Sequence, residues 1–437
     1  MKLALVIEKY DPQGGGAERS TRQIAMELVS RGHDVTVICA QCEIDSDGKI
    51  KIHRLPNSGK LHATRLKRFS AWAKTQLLQG DFEVSVSMTT TVAATVLQPR
   101  SGTAKETMLR NLAIHASSNR LIKQILNRIS PKKRALLSLE EQTLADPMLK
   151  RIAANSDYVK TQLASHYQVP SEKVVVIPNA ATLPAFTAEQ RANWRRIIRA
   201  GYQIPQGAGE PVDLRNSELA MTVDSKLPGA GDSELAMTDG SKLPGGGVVF
   251  VFAAMNPLLK GLIPLLRAFA LVVAQEKPVT LLLAGKYKKS HLDLAESLGI
   301  REHVRFVGPT NDMVELYAAS DVLVHPTFYD PSSKVVIEAL MMGIPAISTS
   351  FNGASDMIIE ENASPRGRVI ADPADVNALS QVMIELLDSN VRQACSDATV
   401  GLSDSLSMIR HVDQLEKLLK DVMSDVVLQR EDDARVV

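Results

Sequence analysis

Apolar residues in this chain fall into short continuous runs separated by longer stretches with helical spacing, and the alternation occurs twice. Residues 3–8 are apolar up to Glu8, the pattern of a strand buried on both faces. The turn Gln13-Gly14-Gly15-Gly16 follows, and residues 17–31 then place Ile24, Leu28 and Val29 on one stripe with Gly32 as a stop. Residues 35–39 predict the next strand. The opening is therefore a β-turn-α-β unit, with a right-handed crossover and a parallel sheet. Further strands are predicted at 82–87, 152–154 and 174–178, with Asn179 as a turn residue, and helices at 61–78, 131–144 and 157–167.

A second α/β pattern begins at Val248. Strands are predicted at 248–253, 279–284, 304–307, 322–324 and 346–348, and helices at 262–274, 314–319, 335–342, 376–387 and 402–428. Between the two patterns the rhythm breaks. Ser217-Glu218-Leu219-Ala220-Met221-Thr222 returns as Ser233-Glu234-Leu235-Ala236-Met237-Thr238, and Ser225-Lys226-Leu227-Pro228-Gly229 returns as Ser241-Lys242-Leu243-Pro244-Gly245. Two copies are too few for a solenoid, and the Gly, Pro, Ser and Asp content suits a disordered insert. The expected organisation is thus a first domain over 1–186, an insert over 187–247, a second domain over 248–400 and a C-terminal helix over 401–437 that could return to the first domain. Ligands of doubly wound sheets sit at the carboxyl ends of the strands, so the expected site is a cleft between two such domains.

Charge narrows the partners. The 50 basic and 49 acidic residues of the 437 leave a net charge of +1, which gives no pull toward nucleic acid. Arg65-Leu66-Lys67-Arg68 and Pro131-Lys132-Lys133-Arg134 read as solvated helix faces, or else as a patch for anionic lipid headgroups or phosphorylated glycans. The three cysteines, Cys39, Cys42 and Cys395, are too few for a disulfide framework and fit a reducing compartment. The lone C-x-x-C at Cys39 and Cys42 reads as structural. Neither a signal peptide nor an apolar run near the roughly 18 residues of a membrane span is present. The expectation is a cytoplasmic protein, with room for a peripheral membrane contact.

Three sets of residues could carry chemistry. Gly14-Gly15-Gly16-Ala17-Glu18 lies between a strand and a helix start, where free N–H groups favour an anion; a plain tight turn is the alternative. Lys260-Gly261 follows the strand 248–253, from where an ammonium can reach a diphosphate. Asp330 and Glu338 flank the start of the helix 335–342, where they could hold sugar hydroxyls or simply complement the helix dipole.

The order of these pieces resembles the family 4 (group 1) glycosyltransferases. His325-Pro326-Thr327-Phe328-Tyr329-Asp330-Pro331, then Val336-Ile337-Glu338-Ala339-Leu340, then Gly343-Ile344-Pro345 resemble that family's signature of an acid, seven residues and Glu, followed by Gly-x-Pro. Gly15-Gly16-Ala17-Glu18 resembles its N-terminal glycine loop, Lys260-Gly261 its Lys-Gly element, and Asn179-Ala180 its Pro-Asn-Gly. The likeness is nearest to the lipopolysaccharide-core glucosyltransferase branch.

The resemblance implies an α/β GT-B fold, two Rossmann-like doubly wound domains facing a central cleft. It further implies retaining transfer from a nucleoside-diphosphate sugar to a glycan or glycolipid, without a metal or other cofactor. By the same likeness, Glu338 would hold the donor ribose, Asp330 the donor sugar and Lys260 the diphosphate. Gly15 and Gly16 would border the phosphates, Gly308 the base, and Ser332, Ser333 and Lys334 the donor. Arg100 and His115 are the acceptor-side candidates. Two departures stand out. Asp330 replaces the usual Glu, and no arginine precedes Lys260, where Ala254, Met255, Leu258 and Leu259 stand; Lys286 or Lys334 would have to substitute. The missing arginine keeps open a second expectation, a catalytically weak GT-B protein that binds nucleotide or glycan.

Overall fold

The computed structural model describes the chain apart from residues 12–13, 43, 45–46, 57–61, 116, 203, 205–246, 311 and 437. The duplicated segment lies outside the described residues. The chain divides into two compact units. The first comprises Met1–Ala180, Asp330–Lys334 and Asp404–Val437, and the second Ala181–Tyr329 and Val335–Ser403.

The first unit is built on β1 (Lys2–Tyr10), β2 (Asp34–Cys42), β3 (Lys51–Arg54), β4 (Val84–Ser87), β5 (Val96–Leu97), β6 (Arg151–Ala154) and β7 (Val174–Val176). They form one parallel sheet in the order β3-β2-β1-β4-β5-β6-β7. Side chains alternate across it as the pleat requires. Leu3, Leu5 and Val37 face a core shared with Ile24 and Leu28 of the helix Gly16–Ser30 and with Val412, Leu415 and Leu419 of the helix Met408–Val436. Ala4, Val6 and Ile38 face the opposite core, with Phe69 and Ala73 of the helix His62–Gln79. The last helix of the chain is thus a structural part of the first unit.

The second unit carries β8 (Val248–Ala254), β9 (Val279–Gly285), β10 (Val304–Gly308), β11 (Val322–Val324), β12 (Ala346–Thr349) and β13 (Gly367–Ile370) in the order β10-β9-β8-β11-β12-β13, again all parallel. Phe250, Phe252, Leu281 and Leu283 pack under Leu265, Leu266 and Phe269 of the helix Leu262–Val273 and under Leu379 and Met383 of the helix Val376–Glu385. Both sheets therefore reverse their winding between the first and fourth strands, β1/β4 and β8/β11. Ligands of doubly wound sheets bind outside the carboxyl ends of the strands at such a reversal.

The structure departs from the sequence expectation in three strands. Lys51–Arg54 is an edge strand exposed along most of its length, so it has no apolar run; Val96–Leu97 is only two residues long; and Gly367–Ile370 opens on a glycine. A larger correction concerns residues 187–247. Ala188–Gly201 is a helix, capped by Thr187 and Gln190 in a reciprocal capping box. It is fixed in the second unit by Arg195 and Arg199, which donate to the two oxygens of Asp321 at 2.5 and 2.7 Å. The Thr187-x-x-Gln190 spacing was legible as a capping signal. It was hidden by the unusual composition that follows it.

Candidate active site

In the second unit, two loops leave the carboxyl ends of β8 and β11 side by side. Residues 255–261 follow β8 and residues 325–329 follow β11. Phe328 N–H donates to the Leu259 carbonyl at 2.9 Å, and Thr327 Oγ1 donates to the same oxygen at 3.3 Å. Gly261 makes this approach possible. It sits at φ +86°, and a Cβ there would lie 2.0 Å from the Pro326 carbonyl oxygen. Lys260 is half-buried, and its Nζ donates to the Tyr329 carbonyl at 2.8 Å. That carbonyl also accepts from Thr327 Oγ1 at 2.9 Å. The ammonium is therefore anchored on the backbone of the loop after β11, at the residue before Asp330.

Glu338 lies on the helix Lys334–Met341, which ends at Gly343 in a left-handed turn. Its Oε2 accepts from Tyr317 Oη at 2.9 Å. Tyr317 is fully buried on the helix Met313–Ala319, and burial raises its hydroxyl well above the usual tyrosine range, so it remains a donor. Sequence reading missed Tyr317, because a Tyr within an apolar helix carries no signal beyond packing. Gly308 closes β10 at φ +80°. Lys286 is exposed just past β9.

The first unit holds the remaining candidates. Gly15 is the N-cap of the helix Gly16–Ser30 and offers no side chain to its first turn. A Cβ on Gly16 would meet nothing within 4 Å, so that glycine leaves open space rather than relieving a clash. Lys334 Nζ donates to Oε1 of Gln23 on the same helix at 3.2 Å. Asp330 Oδ1 accepts from Ser332 N–H at 3.2 Å, and Ser333 is buried beside it.

The two acceptor-side candidates part company. Arg100 is only 7% exposed and its Nη2 donates to Asn179 Oδ1 at 2.6 Å. A guanidinium enclosed this way is committed inside the protein rather than offered at its surface. Burial pushes it down to about 10, which still leaves it charged at neutral pH. His115 pairs with Lys123, and burial together with that ammonium lowers its pKa. Among the described residues, no group of three or more His, Cys, Asp or Glu side chains is placed to hold a metal ion.

Residues 14–183 match the family described as Glycosyltransferase Family 4, and residues 238–401 the family described as Glycosyl transferases group 1. The lipopolysaccharide glucosyltransferase WaaG of Escherichia coli (strain K12) is 24% identical over 406 residues, covering 93% of this chain and 95% of that protein. The crystal structure of WaaG, a glycosyltransferase involved in lipopolysaccharide biosynthesis, has a TM-score of 0.70 at 21% identity and covers 95% of this chain and 99% of that one. Sucrose-phosphate synthase from Thermosynechococcus elongatus follows at 0.66 and 15%, over 97% and 99% of the two chains. The HepE protein of Anabaena in complex with UDP-glucose follows at 0.62 and 16%, over 96% and 100%. These structural likenesses are likenesses of fold.

Proposed function

This chain belongs to the family 4 (group 1) glycosyltransferases of GT-B fold, and we propose that it transfers a sugar, with retention, from a nucleoside-diphosphate sugar to a glycan or glycolipid of the cell envelope, in lipopolysaccharide biosynthesis. The observation that carries this reading is the pinning of Lys260 and Glu338 in loops and helices that leave β8 and β11, where the sheet reverses. A carboxylate held by Tyr317 accepts from the ribose hydroxyls. The Lys260 ammonium stabilises the charge that grows on the departing diphosphate. The donor phosphates are assigned to the turn Ser332-Ser333 and the first-turn N–H groups of the helix Lys334–Met341 that it opens. Asp330 accepts from the donor sugar, and Gly308 borders the base. Because lysine and helix termini supply the positive charge, the reading requires no bound metal, and a chelator should leave the rate unchanged.

The acceptor side is read from a surface. The helix Ser117–Ile129 exposes Ile125, Leu126 and Ile129 at 61%, 55% and 63%, and Lys132 and Arg134 are exposed just beyond it. Apolar anchors beside cations suit the interface of an anionic membrane. Among the described residues no helix is long and apolar enough to cross one. This surface supports the reading of a cytoplasmic, membrane-peripheral enzyme that meets a lipid-linked glycan.

The test is a transfer screen with UDP-, GDP- and ADP-sugars against lipid-linked and free glycans, with the anomeric configuration of the product read by NMR. Turnover lost in Lys260→Ala and Glu338→Ala, with a retained anomer, is the expected result. Tight nucleotide binding without turnover on any acceptor would instead establish a binding protein.

A further inference from the structure

Asn179, the Asn of the Pro-Asn-Gly-like element, has been given no part in donor binding above, yet it is 5% exposed and bonded on both sides of its amide. The backbone around it is fixed first. Ile177 N–H donates to the Ala154 carbonyl at 2.8 Å and Asn179 N–H to the Asn155 carbonyl at 3.2 Å, so the chain leaving β7 stays zipped to the chain leaving β6. The Pro178 carbonyl accepts from His411 Nδ1 at 2.7 Å. The side chain is fixed next. Its Oδ1 accepts from Arg100 Nη2 at 2.6 Å, and its Nδ2 donates to the Ser332 carbonyl at 2.9 Å.

A guanidinium has donors only. Arg100 therefore dictates which end of the amide faces it, and the NH2 end must face Ser332. A second tether acts one residue earlier. Ser156 Oγ donates to the Pro331 carbonyl at 2.6 Å while also capping the helix Asp157–Tyr167. Two consecutive carbonyls of the segment Asp330–Lys334 are thus held from the carboxyl ends of β6 and β7. In a planar trans peptide the C=O and the following N–H point opposite ways. Fixing the Ser332 carbonyl on Asn179 consequently aims the Ser333 N–H away from Asn179.

We propose that Asn179, oriented by Arg100, is a positioning residue that sets the backbone of Asp330–Lys334 for the donor phosphates. This deepens the donor-binding role given to that segment and rests on it. The family-like Gly after this Asn is Ala180 here, and it is not among the residues with positive φ. The work at this turn is done by the Asn side chain.

Asn179→Asp separates positioning from folding. The carboxylate still accepts from Arg100, so the buried cation keeps a partner. It has no proton for the Ser332 carbonyl, and two oxygens then oppose each other. Using the full chain, backbone hydrogen exchange across residues 330–334 is followed by mass spectrometry, alongside calorimetric binding of UDP, GDP and ADP and thermal melting. The expected result is faster exchange confined to 330–334 and nucleotide affinity weakened about tenfold, the equivalent of one hydrogen bond, with a cooperative melting transition retained. Arg100→Met frees the amide to turn over and should move both readouts the same way by a smaller factor; it serves if Asn179→Asp does not fold. Unchanged exchange in 330–334 overturns the proposal, and so does faster exchange with undiminished nucleotide affinity. Absence of binding by the unaltered chain to any of the three nucleotides overturns the donor-binding role itself, whatever the exchange data show.

Discussion

Replacing Tyr317 by Phe removes one oxygen and leaves the ring in its fully buried place. The bond lost is the 2.9 Å contact to Glu338 Oε2. A hydrogen bond to an ionised group contributes about 1.5–3 kcal/mol, but Glu338 is half-buried and regains part of that from water. A net loss of about 1–2 kcal/mol is expected, and it should appear mainly as freedom of the Glu338 carboxylate. Since that carboxylate is assigned to the ribose, the donor KM and the Kd for the nucleoside diphosphate should rise about 5- to 30-fold. The kcat should fall by less than about threefold, because ribose contacts are made equally in ground and transition states. Steady-state kinetics and calorimetry read these directly, and a melting curve checks the fold. An unchanged KM and Kd beside a lowered melting temperature would show that Tyr317 serves packing alone, and would refute the orientation argument.

Lys260→Met keeps the stem and deletes the charge, and should lower kcat by roughly 10²–10³-fold with a smaller change in KM, as expected for a group that stabilises leaving-group charge. Gly261→Ala combines left-handed strain of roughly 1–2 kcal/mol with a Cβ that would lie 2.0 Å from a backbone oxygen, so the melting temperature should fall sharply and donor binding with it. His411 is buried, and burial, with the charges of Arg100 and Lys334, pushes it down to about 3. Its folded pKa thus lies below its unfolded one, so the unfolded chain takes up the proton first; stability is full above about pH 6.5 and falls by about 1.4 kcal/mol per unit toward pH 3. His411→Asn should flatten that acid slope, and parallel pH–stability curves for the two proteins would contradict it. Charging the exposed apolar face with Ile125→Glu and Ile129→Glu should abolish sedimentation with phosphatidylglycerol vesicles while leaving transfer to a soluble glycan intact.

The fold was legible because buried parallel strands must be continuous apolar runs. Leu3 to Ile7, Val248 to Ala253 and Val279 to Ala284 could be read on that ground alone, and the glycine turns beside them marked the helix starts. The edge strand Lys51–Arg54 escaped notice because an exposed edge needs no such run, and the helix Ala188–Gly201 because composition outweighed a short capping signal.

The spacing of Lys260, Asp330 and Glu338 marked them as donor-side candidates, since residue type and order are written in the chain. What holds each of them was not. Lys260 rests on a backbone carbonyl, a group every residue carries and no sequence pattern marks. Glu338 takes its direction from Tyr317, twenty-one residues away, and Ser332 from Asn179, at a separation of 153. Arg100 was an acceptor-side candidate by its place in the chain, and only packing decided that it is enclosed against an amide. Local chemistry and periodicity are properties of neighbours along the chain. Orientation is set by partners that become neighbours only when the sheets close.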